Sequence, residues 1–195
     1  MKALTTREKL LHAGQSLMLS RGYAATTVDE ICAAAGVSKG SFYHAFAAKE
    51  DLALAILDEY FQRQMEAYGN GPHRRVADPR ARAFAFLDHV EHTAAGMWSS
   101  GCLLGVFALD MAESSPKIQA RLAELFNRMA GGLARLFQPL LPEGKRKDRP
   151  SAQELADHFV AVVEGSIVLA KAHQDGSRVV QGVRSFRRYL ECIVG

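Results

Sequence analysis

A chain of 195 residues, 48% of them apolar and 23% charged, has enough apolar material for a buried core, and that excludes intrinsic disorder. A net charge of +3 and an isoelectric point near 8.8 neither prove nor exclude a nucleic-acid partner, because the placement of the charge matters more than its sum. The longest apolar stretch, Phe159 to Ala170, contains Glu164 and falls short of the ~20 residues a membrane span needs. Thr5 to Lys9 interrupt any signal-peptide-like run, and Cys32, Cys102 and Cys192 are odd in number and far apart, so a reduced, cytoplasmic protein is expected.

No strand period stands out. Helical periods alternate with Gly, Pro and Ser punctuation at 20–22, 36–38, 47–48, 69–72, 78–79, 99–101, 114–116, 141–150 and 175–177, which predicts an all-α chain of about nine helices. The first helix, 6–20, shows an apolar face of Leu10, Leu11, Gly14, Leu17 and Met18 and stops before Gly22. The second opens on Thr27-Val28-Asp29-Glu30, the pattern of a capping box, and carries one buried stripe of Val28, Ile31, Cys32 and Ala35. Gly36 ends it in a left-handed turn, and Ser38 is placed to cap the next helix.

The third helix, Lys39 to about Ala45, is short. Phe42 and Phe46 anchor it inward, which leaves Lys39, Gly40, Ser41, Tyr43 and His44 facing outward or to the sides. Small, hydrogen-bonding and cationic residues on a short helix that follows a Gly turn suit a reader of the major groove. Lys39 and Ser41 can reach base edges or phosphates, Tyr43 and His44 can bond phosphate oxygens, and Gly40 permits close approach. Lys49, at the start of the fourth helix, is expected to meet the sugar-phosphate backbone. With Thr27 and Ser38 these residues form the expected DNA-binding set.

The run TTVDEICAAAGVSKGSFYHAFAAKEDLALAIL, Thr26 to Leu57, resembles the DNA-binding signature of the TetR family of bacterial repressors. Thr27 matches the phosphate-contacting start of the family's second helix, Lys39, Ser41, Tyr43 and His44 its recognition helix, and Lys49 the lysine that opens its fourth. Ala45 and Ala48 depart from the family pattern, where a polar phosphate contact and a capping Ser are common. The resemblance implies a three-helix DNA-binding domain at 1–49 and a helical ligand-sensing and dimerisation domain at 50–195. It also implies a homodimer through the last two long helices, residues 151–193, and a palindromic double-stranded operator. Binding would be released by a small-molecule inducer, with the fourth helix as the lever between the domains.

The sequence offers separate support for these parts. Residues 151–174 open on a Ser cap and are apolar almost all round from Phe159 to Leu169, so they are expected to be buried on every side. Residues 177–193 pair an apolar face with a basic one (Arg178, Arg184, Arg187, Arg188), which reads as solvated surface. Glu143–Pro150 reads as an exposed loop. Phe61, Met65, Phe84, His89, Trp98, Phe107, Met111, Phe126, His158 and His173 are candidates to line an apolar ligand pocket, or equally to be ordinary core. His89 and His92 are the one close histidine pair, and they fit a plain solvated face; no metal and no cofactor is expected.

Gly101-Cys102-Leu103-Leu104-Gly105 resembles a segment of the family's electrophile- and oxidant-sensing branch, the N-ethylmaleimide-responsive type among them. There the matching cysteine is a redox switch, and a lysine near it matches Lys171; Val106 departs from that branch's usual Asn. A cysteine at a helix start has its thiolate favoured by unpaired amides, although small residues and a passive Cys102 serve helix packing equally well. Cys32 reads as inert core, and Cys192 has no assigned role. Two readings of another class are a cysteine-based enzyme and a non-catalytic binding module without specific DNA readout. The first lacks a His/Asp partner pattern, a phosphate-binding Gly loop and an HExxH or paired-carboxylate motif, so no enzyme is expected.

Overall fold

A computed structural model describes residues 3–111, 115–141 and 149–194. Among these the chain is all-helical: α1 (Thr6–Arg21), α2 (Val28–Ala35), α3 (Lys39–Ala45), α4 (Lys49–Gly69), α5 (Pro79–Met97), α6 (Leu103–Met111), α7 (Pro116–Phe137), α8 (Ala152–His173) and α9 (Ser177–Val194). Two 3₁₀ turns, Pro72–Arg75 and Gln138–Leu140, follow α4 and α7. Residues 143–148 of the expected exposed loop lie outside the described residues. No helix among the described residues is long and apolar enough to cross a membrane.

Local chemistry sets the ends of the elements. Capping boxes start α1 (Thr5 with Glu8), α2 (Thr27 with Glu30) and α8 (Ser151 with Glu154), each answering two otherwise orphaned amides. Gly36 takes the left-handed conformation (φ 64°, ψ 39°) that closes α2 and turns the chain into α3.

The helices group into two compact units. One comprises 1–63 with 102–124, the other 64–101 with 125–195. In the first, α1 packs against α2, α3 and α6, and Leu10, Met18, Ile31, Phe42, Leu52 and Leu57 are wholly buried. Gly14 lets α1 and α4 meet closely: a Cβ there would stand 2.8 Å from the Ile56 side chain. Segment 102–124 belongs to this unit because polar ties hold it to α4. The Ser115 hydroxyl donates to Glu50 (2.6 Å), Lys117 pairs with Glu50 (3.2 Å), and Arg121 pairs with Asp58 (2.6 Å).

In the second unit α5, α8 and α9 pack together around Phe137, Phe159 and Phe186, whose ring centroids lie 4.9–6.1 Å apart. The α8–α9 crossing is tight, since a Cβ on Gly182 would collide with the Ser166 hydroxyl. Helix α8 departs from the expectation of burial on every side. Leu155, Ala156, Phe159, Val163 and Ile167 face the core, but Ala161, Gly165, Val168, Leu169 and Ala172 are exposed in the single chain. Among the described residues, helices cover only one side of α8. The basic face of α9 is only partly solvated: Arg184 and Arg188 are exposed, Arg178 and Arg187 half-buried, with Arg184 bonded to Glu91 (2.6 Å) and Arg187 paired with Asp88 and Glu191.

Candidate nucleic-acid interface

The stretch after Gly36 forms a seven-residue helix whose inner side is Phe42, fully buried, and whose C-cap is the buried Phe46. The rings of Phe42 and Phe46 lie 6.1 Å apart, and the Arg7 guanidinium covers Phe46 at 5.1 Å. This anchoring leaves Lys39, Gly40, Tyr43 and His44 exposed and Ser41 half-buried. Tyr43 stands 53% exposed, its ring held edge-on to Phe42 at 5.2 Å, so its hydroxyl projects from a fixed base. The nearest atom to a Cβ built on Gly40 would be the Ser38 hydroxyl at 3.7 Å; nothing within the chain itself requires a glycine there.

Four of the polar side chains around this helix, Thr27, Ser38, Lys39 and Ser41, already have partners. Ser38 caps α3, its hydroxyl accepting the Ser41 amide at 3.1 Å and lying 2.9 Å from the Ser41 hydroxyl. The Thr27 amide and hydroxyl both donate to the Glu30 carboxylate (2.9 Å each), and these bonds lower the Glu30 pKa. Lys39 pairs with Asp29 at 2.8 Å, and the hydrogen bond to that carboxylate raises its pKa. Both partners are well exposed, so solvent screens the pair and it holds Lys39 only weakly.

Lys49 differs from expectation. Instead of projecting outward, its ammonium donates to the carbonyls of Tyr23 (3.0 Å) and Thr26 (2.8 Å) and sits 4.0 Å from the centre of the Tyr23 ring. Burial pulls its pKa down. The carbonyls of the loop before α2 have no helical partners, and a lysine at the head of α4 answers two of them. Sequence reasoning did not single out Asp29 or Tyr23, because the two pairings join residues that share no helical period.

The ten candidate pocket residues divide between the units. Phe61, Phe107 and Met111 are buried in the first. In the second, Trp98 is buried, Met65, Phe84, His89 and Phe126 are half-buried, and His158 and His173 are exposed. His158 lies against the Tyr189 ring (4.7 Å), and His173 ends α8; both are exposed in the single chain. Phe84 faces the Arg187 guanidinium at 5.7 Å. Trp98 and His89 instead join a cluster with three residues that sequence reasoning missed, Tyr68, His73 and Phe86, at centroid distances of 5.2–6.3 Å. His73 is buried with no hydrogen bond to Nδ1, and burial, then neighbouring His89, lowers its pKa. His92 turns away, its ring nitrogen 2.6 Å from the Asp88 carbonyl.

Cys102 is buried and immediately precedes α6, its carbonyl accepting the Val106 amide at 3.0 Å. Lys171 is exposed, and its stem packs over Gly101: a Cβ there would stand 2.7 Å from the Lys171 Cε. None of the three cysteines is in a disulfide; Cys32 is buried and Cys192 exposed.

Two family models match the chain. Residues 10–56 match "Bacterial regulatory proteins, tetR family", and residues 79–181 match "Transcriptional regulator LmrA/YxaF-like, C-terminal domain". The transcriptional regulator AcuR of Cereibacter sphaeroides is 30% identical over 96% of this chain and 86% of its own. The transcriptional repressor NemR of Escherichia coli is 28% identical over 72% of this chain and 69% of its own. A solved regulatory protein TetR from Rhodobacter sphaeroides superposes with a TM-score of 0.79 at 28% identity, covering 94% of this chain and 97% of that one.

Proposed function

The chain belongs to the TetR family of bacterial regulatory proteins, and from that premise we propose that it is a cytoplasmic repressor that binds a palindromic operator as a homodimer. The observation that carries the reading is the outward face of α3, with Lys39, Gly40, Tyr43 and His44 exposed on a helix anchored by Phe42. One such helix makes too few base contacts for useful specificity; two, spaced about 34–36 Å apart, read successive major grooves. Symmetry requires a surface that pairs with itself. The exposed apolar stripe of Ala161, Gly165, Val168, Leu169 and Ala172 on α8 supports dimerisation through residues 151–193, because soluble chains seldom leave such stripes uncovered.

Footprinting on the DNA flanking the gene tests the reading. Protection of a palindrome is expected; uniform weak binding fits a module without specific readout instead. Within that assay Lys39→Ala is expected to change the preference among operator variants, and Tyr43→Phe to weaken all of them. Lys49→Ala is expected to weaken binding with the salt slope unchanged, because its ammonium braces the loop; a slope shallower by about one unit would make it a phosphate contact.

Release is the second half of the function. A small apolar ligand bound in the C-terminal helices, or modification of Cys102, lowers operator affinity by favouring a state that binds DNA less well. The resemblance of residues 101–105 to the electrophile-sensing branch and the position of Cys102 at the head of α6 support the second route. Addition of the Cys102 thiol across the double bond of N-ethylmaleimide forms a carbon–sulfur bond, breaks the carbon–carbon π bond and delivers the thiol's proton to the adjacent carbon, with no turnover. A buried side chain enlarged in this way forces α6 to shift. Cys102→Ser is expected to keep operator binding and to lose release by N-ethylmaleimide; release that persists in this variant would assign the effect elsewhere.

A further inference from the structure

The loop joining α1 to α2, Gly22 to Thr27, is gripped from two sides. On one side Lys49 holds the Tyr23 and Thr26 carbonyls. On the other are two residues three apart on α6. The Asp110 carboxylate accepts the Ala24 amide at 3.0 Å, and the Phe107 ring packs on Tyr23 at 5.9 Å. The fit at Gly22 is close. This residue has φ +83°, and a Cβ on it would stand 2.9 Å from the same Asp110 oxygen, so the carboxylate occupies the space a side chain would need. The strand of chain being held is short and internally braced: the Thr26 hydroxyl, fully buried, donates to the Gly22 carbonyl at 2.7 Å, and the next residue, Thr27, caps α2.

The position of Asp110 is unfavourable for α6 itself. A carboxylate in the last turn opposes the helix dipole, so its stabilisation comes from the loop amide and from the nearby Lys49 charge. The group therefore serves a contact with the DNA-binding helices and not the helix that carries it.

We propose that Asp110 is a positioning residue for DNA binding: from α6 it fixes the α1–α2 loop, and through the loop the start of α2 and the seating of α3. The inference rests on the DNA-binding reading; α4 contributes Lys49 as the other side of the grip.

The test compares Asp110→Ala and Asp110→Asn in the full-length protein, reading operator affinity, melting temperature and hydrogen exchange at the Ala24 amide. Asp110→Ala is expected to lose about tenfold in operator affinity, the equivalent of one charge-assisted hydrogen bond. It should expose the Ala24 amide while amides within α1 and α3 stay protected. Asp110→Asn keeps an acceptor of the same shape and is expected to recover most of both losses with an unchanged melting temperature. Wild-type affinity in Asp110→Ala, or unchanged protection at Ala24, overturns the proposal, as does a uniform rise in exchange across α1–α3 in both variants. If the wild-type protein protects no palindrome, the DNA-binding reading fails, and the Ala24 exchange measurement still decides whether the grip exists.

Discussion

Phe42→Ala is expected to abolish operator binding while leaving the C-terminal helices folded. The ring is completely buried and packs against Phe46 and Tyr43. Its removal deletes the largest apolar anchor of a seven-residue helix that is too short to persist by itself. A Phe→Ala truncation in a core costs about 3–5 kcal/mol, a large share of the 5–15 kcal/mol that typically separates folded from unfolded. The cost falls on the first unit, because Phe42 belongs to residues 1–63. Loss of specific binding by more than a hundredfold is expected, together with rapid amide exchange in α2 and α3 and preserved protection in α8 and α9. Binding within threefold of wild type would show that α3 is held by something other than its aromatic anchors.

The second large effect concerns the outer face of α8. Val168 and Leu169 are 58% and 50% exposed in the single chain, so replacing both with Asp leaves the buried face of α8, Leu155, Ala156, Phe159, Val163 and Ile167, in place. If a second copy covers the stripe, the double variant places like charges across a two-fold axis in a desolvated seam, which the interface does not tolerate. A monomer in sedimentation equilibrium at micromolar concentration is expected, with helical content retained. Operator affinity should fall on the order of 10³-fold, because the second recognition helix no longer binds as part of the same molecule. A double variant that stays dimeric and binds normally would move the dimer seam off α8.

The elements and the exposed face of α3 were legible because they depend on neighbours in the chain. Capping boxes act over three residues, Gly36 acts at one, and the Phe42/Phe46 spacing is a single helical turn. The face of α3 could therefore be read before any coordinates. The partners of its charged residues could not. Lys39 meets Asp29 and Lys49 turns to Tyr23 and Thr26, pairings that depend on how α2, α4 and the intervening loop cross. The pocket candidates show the same limit from another side. An aromatic residue at helical spacing identifies a buried stripe but not its neighbours, so Tyr68, His73 and Phe86 were missed while the exposed His158 and His173 were included.

The amino-acid sequence alone determined an all-helical chain, the boundaries set by caps and glycines, and a short polar-faced helix behind a Gly turn, because each of these follows from interactions within one or two helical turns. Only the tertiary structure decided that residues 102–124 fold with the N-terminal helices, that half of α8 is left uncovered by its own chain, and that Asp110 reaches back 86 positions to the Ala24 amide. These features depend on which helices cross and on which side, and no periodicity in a single segment records the crossing.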